Sequence, residues 1–410
     1  MEQAIGVFVE SEEDDEEEIN EAESEEQLLK HYFYSGYKYN EILLFLEKHH
    51  DIAISYSTLL RRLQTYGLQR RSNRDAEQYA AKVLQARERM QAIVDGPGGL
   101  SGYRSIWHRL EIEGLRIPRS IVQTILKDID PRGTALRRRH RLHRREYKSP
   151  GPNFAWHIDG YDKLKPWGFP IHGSIDGYSR KVLWLELTRS NKSPDNIATM
   201  YLKTVQEQGG SPVELVTDLG TENCIAAAIQ CYLRDSIDAH RYVPSPRNQR
   251  IEGWWSFFSK HYSTWWINFF SDLEFRGIVD LTMELSKECL WYCFSPLIQR
   301  DLDNIKLNWN THTIRRSRYN TVAGRPNSLY HLPELHGGEN NLLLPVAGRQ
   351  IAYVEHHIID NQEINDFKDY FNMIMNMLNN SQPGTWQEAL SLYDALMRVA
   401  DRNYPYSGVH

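Results

Sequence analysis

Cysteine is scarce in this chain of 410 residues: Cys224, Cys231, Cys289 and Cys293 are the full complement, and the first 223 residues hold none. With no charged-then-apolar leader at the N-terminus, so few thiols make a reducing compartment the default and disfavour an oxidising one. Long apolar runs are missing as well. A membrane span needs roughly 18 to 20 such residues, and the "WWINFF" run at Trp265 to Phe270 stops far short. A soluble protein with no membrane partner is expected. Basic residues are absent from Glu10 to Glu26, where twelve acidic side chains stand among almost nothing apolar. Such a block cannot offset the ordering entropy of a fold, so residues 1–26 read as a disordered acidic arm, with solubilisation its simplest role.

What remains can build more than one core. The chain is 41% hydrophobic and 11% aromatic, which at this length points to two or three domains. The net charge of −6 is set by the acidic run and hides a basic remainder.

Residues 27–70 are patterned as short helices. In "ISYSTLLRRLQTYGL" the residues Tyr56, Leu59, Leu60 and Leu63 recur at helical spacing, with Ser55 as N-cap and Gly67 as stop. Thr58, Arg61, Arg62 and Thr65 form the other face, so the segment reads as helix-turn-helix-like, with a small helical bundle as the plainer alternative. Residues 71–95 are helical and charged, a spacer. After "GPGG", residues 96–130 repeat the pattern, with Arg119, Gln123, Thr124 and Lys127 outermost. The linker 131–152 follows, carrying Arg137, Arg138, Arg139, Arg141, Arg144 and Arg145 within nine residues. Adjacent guanidinium groups repel one another without a polyanion. Six phosphate contacts would give log K against log salt a slope of roughly −5. A nuclear-import signal is a compatible second role.

Beyond the linker the period changes to that of strands. "NFAWHID", "GFPIHGSID" and "KVLWLEL" form a three-strand meander; helix, "PVELVTD", helix, "HRYVP" and helix follow. The expected fold is α/β, a mixed five-stranded sheet with flanking helices, preceded by all-α units and followed by a helical C-terminal region. Three carboxylates then share a place: Asp159 ends the first strand, Asp218 ends the fourth, and Glu252 lies on the helix after the fifth. Singly, a turn, a helix cap and a first-turn carboxylate explain them. Together they would repel by roughly 4 kcal/mol per pair at about 4 Å and an effective dielectric of about 20, and so hold protons or cations. Oxygen ligands with open positions suit Mg²⁺ or Mn²⁺. Two such ions serve in-line displacement at phosphorus.

From about Asn153 to Pro326 the chain resembles the integrase core of retroviral integrases and retrovirus-like transposases, which is RNase H-like with a D, D, E triad. "WHIDGYDKL" and "IDGYSRKVLWLEL" resemble its first three strands, "TDLGTEN" the segment with the second Asp, and "SPRNQRIEGWW" the segment with the Glu. "NWNTHTIRRSRYNTVAGRPNSLY" is similar to its closing segment. The resemblance makes Asp159, Asp218 and Glu252 the catalytic metal ligands. It implies two Mg²⁺ or Mn²⁺ ions per site, DNA ends and target as partners, no organic cofactor, a homo-oligomer, a nuclear location and descent from a mobile element. Asp218 and Glu252 stand 34 positions apart, about two fewer than usual, which a shorter loop near the fifth strand absorbs. The family's N-terminal His₂Cys₂ zinc module has no counterpart; the upstream architecture resembles bacterial transposases, in which helix-turn-helix units recognise element ends.

Weaker candidates surround the triad. Asn248, Gln249 and Arg250 are candidate DNA contacts, with helix capping the alternative for Asn248; Lys163, Lys165 and Lys260 are candidate phosphate contacts. Trp254, Trp255, Phe257 and Phe258 are expected to pack the last helix on the sheet, Asp176 to sit in a turn, and Cys289 and Cys293 to be core thiols. The core is bounded at 153–335, leaving 336–410 as helices of no assigned role. The expected function is a DNA-binding polynucleotidyl transferase. Its rival is a captured, non-catalytic DNA-binding or chromatin-associated protein; an RNase H-like nuclease fits the upstream helices poorly.

Overall fold

The structure, a computed structural model, describes residues 25–68, 76–139, 147, 149–316, 322–358 and 366–403. Of the expected acidic arm only Glu25 and Glu26 fall inside it, and they begin a helix, α1 (25–34), paired with Arg62 and Lys30 respectively. The chain divides into two units: residues up to Met90 with Ile106–Asp128, and Gln91–Ser105 with everything from Ile129 onward.

The first unit is helical: α1, α2 (Tyr39–His50), α3 (Tyr56–Thr65), most of α4 (Ala76–Val94) and of α5 (Tyr103–Ile112), and α6 (Arg119–Ile129). Ser55 caps α3 by accepting from the Thr58 amide at 3.1 Å, and Gly67 beyond its end takes a φ of 66°. The apolar stripe of α3 is narrower than its spacing promised: Leu59 and Leu63 are buried, while Tyr56 and Leu60 are exposed. The segment expected as a spacer is structural, since Ala86 and Met90 of α4 are wholly buried and Arg89 forks onto Glu113 at 2.7 Å. Residues 27–68 and 106–128 therefore share one unit.

The second unit holds α7 (Pro131–Arg139) and a five-stranded sheet of order β3-β2-β1-β5-β6, built from β1 (Ala155–Tyr161), β2 (Ile171–Asp176), β3 (Val182–Leu187), β5 (Glu214–Thr217) and β6 (His240–Tyr242). The meander is antiparallel; β5 pairs parallel to β1, and β6 parallel to β5. Side-chain alternation splits β1. Trp156 and Ile158 enter a core with α8 (Pro194–Gln208) and α9 (Cys224–Arg234), and Tyr161 enters the opposite one with α10 (Gln249–Phe258), α11 (Thr264–Phe275) and α12 (Glu284–Thr311). Helices thus cover both faces, as an RNase H-like integrase fold requires. A second sheet of two residues per strand, β4 (Gly210–Ser211) with β7 (Leu344–Pro345), was not foreseen.

α12 also guards the free edge. β3 lies outermost, and an unpaired edge invites association. The Asn310 amide accepts from the Val182 amide at 2.8 Å and donates to its carbonyl at 2.9 Å, while Gln299 accepts from the Leu187 amide at 2.8 Å.

The chain continues through α13 (Pro326–His331), α14 (Gly348–His357), α15 (Asp366–Leu378) and α16 (Trp386–Asn403). The last two are no appendage: Phe371, Ile374, Ala389, Leu392 and Leu396 lie in the same core as α10 to α12. Cys289 and Cys293 are wholly buried there as free thiols. Among the described residues no helix is long and apolar enough to cross a membrane.

Candidate active site

The register of the sheet juxtaposes two of the expected acids. Ala155, Trp156 and His157 of β1 pair with Glu214, Leu215 and Val216 of β5; the same offset, carried two residues further, sets Asp159 beside Asp218. Asp159 shares its face of β1 with Tyr161, toward α10. Glu252 lies in the first turn of α10, where the helix dipole favours a carboxylate. All three are half-buried.

Each acid is held by its own neighbours. The Trp255 indole N–H donates to Asp159 Oδ2 at 3.1 Å. Asp218 Oδ1 accepts from the Asn223 side chain at 2.9 Å and the Gly220 amide at 3.1 Å. Ser245 donates its hydroxyl to Glu252 Oε1. Trp255 fits because Gly173, opposite Asp159 on β2, has no side chain: a Cβ there would come within 3.0 Å of the indole ring.

Burial, reinforced by the negative charge of Asp218 and then of Glu252, pushes the Asp159 carboxyl up to about 8. The charges of Asp218 and Glu252 thus reach Asp159. Among the described residues no group of three or more His, Cys, Asp and Glu side chains stands at metal-binding spacing. The donors of Asp159, Asp218 and Glu252 are all oxygen, the chemistry that hard divalent cations take.

The flanking candidates divide. Asn248 is fully buried, its amide donating to the Ile158 carbonyl at 3.0 Å, so it has no surface to offer DNA. Arg250 is half-buried with its guanidinium carbon 4.0 Å from the centroid of the Tyr147 ring, again turned inward. Gln249 beside them is half-buried. Lys163 and Lys260 are exposed, and Lys165 pairs with Asp162 at 2.8 Å. Trp254, Trp255 and Phe258 are buried against the sheet, while Asp176 is wholly buried and accepts from the Asn153 and Ser179 amides, both at 2.7 Å.

Among the upstream arginines, Arg61 is exposed, Arg62 pairs with Glu25, and Arg119 stacks on Trp107 at 3.9 Å. Arg137, Arg138 and Arg139 lie on α7 with side chains outside the described residues, and Arg141, Arg144 and Arg145 fall outside them entirely. Asn223, Ser245 and Gly173 escaped sequence reasoning as partners of the acids. Asn223 alone left a signal, five residues after Asp218 in "TDLGTEN".

No curated protein matches the chain. Residues 146–341 match a family model described as an integrase core domain, which begins just before β1 and ends just before β7. Such a domain implies DNA binding, and its family of polynucleotidyl transferases typically uses divalent metals. The order of the five-stranded sheet agrees with this match: residues 146–341 of the chain are similar to an integrase core domain, which supports an integrase- and transposase-like protein.

Proposed function

We propose that this protein is a polynucleotidyl transferase that cleaves DNA ends and joins them to a target, with Asp159, Asp218 and Glu252 as its catalytic carboxylates. The observation that carries the reading is the register of β1 and β5, which sets Asp159 beside Asp218 inside the segment that matches an integrase core domain; burial and the charges of Asp218 and Glu252 push the Asp159 carboxyl up to about 8. The three acids would hold two Mg²⁺ or Mn²⁺ ions, which when bound activate the attacking oxygen and neutralise charge on the leaving one. The protein's part is orientation. Trp255 fixes the Asp159 carboxylate, Asn223 and the Gly220 amide fix Asp218, and Ser245 fixes Glu252, so that the donors need no rearrangement as charge develops.

The remaining roles follow from charge and chemistry. Residues 27–70 and 96–130 would recognise specific DNA as helix-turn-helix elements, and Arg137 to Arg145 would grip phosphates along linker 131–152. Joining two ends needs more than one active site, hence a homo-oligomer. Chromosomal DNA as target places the work in the nucleus, for a protein of mobile-element descent.

The test is nicking and joining of labelled oligonucleotides into supercoiled plasmid with Mg²⁺ or Mn²⁺, comparing native protein with Asp218→Asn. Metal-dependent joining that disappears in the variant, with DNA affinity nearly unchanged, supports the proposal. Specific DNA binding without chemistry, on native flanking DNA, would favour the captured DNA-binding role; cleavage of RNA:DNA hybrids without joining would favour a nuclease.

A further inference from the structure

Asn248, a candidate DNA contact or helix cap by sequence, is wholly buried and makes no side-chain cap hydrogen bond. Its side-chain nitrogen donates to the Ile158 carbonyl, one residue before Asp159, at 3.0 Å. Its oxygen therefore faces His157 Nδ1, at 2.7 Å. An amide oxygen only accepts, so Nδ1 carries the hydrogen and Nε2 is left to accept. The Tyr147 hydroxyl meets Nε2 at 2.8 Å and is the donor. Every role in this chain is fixed by the one before it. The main chain of Asn248 completes the link: its carbonyl accepts from the Glu252 amide at 3.1 Å, and its amide donates to the Ser245 carbonyl at 2.9 Å.

Tyr147 itself spans two elements. Its hydroxyl holds β1 through His157, and its ring receives the Arg250 guanidinium of α10. Gly177 leaves it room, since a Cβ there would come within 2.6 Å of the hydroxyl. In sequence Tyr147 stands two residues after Arg145, the last arginine of the basic segment.

We infer that Tyr147, His157 and Asn248 form a buried positioning relay that sets Glu252 against Asp159. The inference rests on the active-site reading above. None of the three touches the reacting atoms; they act through the carboxylates, in the way that partners behind metal ligands commonly do.

The probe is Tb³⁺ alone, its emission sensitised by Trp255, titrated into native protein, Tyr147→Phe and Asn248→Ala. Tyr147→Phe removes the hydroxyl and keeps the ring on Arg250, so it decides the matter even if Asn248→Ala fails to fold. The relay predicts that Tyr147→Phe, still folded at the temperature of the titration, weakens the Tb³⁺ midpoint about 10-fold, lowers kcat for joining at unchanged DNA Kd, and recovers with excess Mn²⁺. A native midpoint with native Tm overturns it, as does a native midpoint with lowered Tm and reduced amplitude, the mark of a merely structural role. Absent Tb³⁺ emission in native protein would instead remove the three-acid site, and with it both readings.

Discussion

Asp159 is kept where its own charge is unwelcome, and that has measurable consequences at the scale of one residue. Its carboxyl titrates at about 8 in the folded protein against an ordinary 3.8, so below 3.8 it costs nothing, and as pH rises to about 8 the cost of ionising it grows to completion. Metal-free protein should lose stability across that window. Asp159→Asn should flatten the loss and raise stability at pH 8 by on the order of a few kcal/mol, read by thermal melts from pH 5 to 9; a native-like pH slope in the variant would contradict the assigned field. Gly173→Ala should push Trp255 off Asp159, lowering joining at least about 10-fold while the protein stays folded by circular dichroism. Asp159, Asp218 and Glu252 stand out in the sequence by position, but β1 runs on to Tyr161, so Asp159 lies two residues inside its strand rather than ending it as expected. Their holders do not, because Trp255 reads as packing and Gly173 as one residue of a strand until the register places Gly173 opposite Asp159.

Among elements, the strand meander and its capped helix were readable because periodicity and turn residues are local signals. Ser193 and Gly209, bracketing α8, show this plainly. The role of α12 was not readable, since Asn310 and Gln299 are polar residues whose partners lie more than a hundred positions away on β3. Asn310→Ala would strand a buried amide and carbonyl of Val182 and should cost about 2 kcal/mol in urea unfolding, with greater tendency to self-associate; an unchanged midpoint would show that the edge is satisfied otherwise. The arginine segment is an element of charge rather than shape. Replacing three of Arg137 to Arg145 by Ala should flatten the salt slope of DNA binding by roughly 3, and an identical slope would release this segment from phosphate contact.

For the whole molecule, the composition shift at the linker marked where strands begin, but it could not mark where the core ends. Residues 336–410 were separable by eye, yet α15 and α16 complete the core around α10 to α12. Their apolar faces read as amphipathic helices with an unstated target, and only the long-range packing supplies it. The central claim is that three acids from β1, the end of β5 and α10 make one divalent-cation site in an integrase core. Free Mn²⁺, counted by electron paramagnetic resonance during titration of native protein and Asp218→Asn, tests it most directly. The account predicts two ions bound by native protein and a loss of that binding in the variant; equal binding by the two proteins, or none by either, would contradict it.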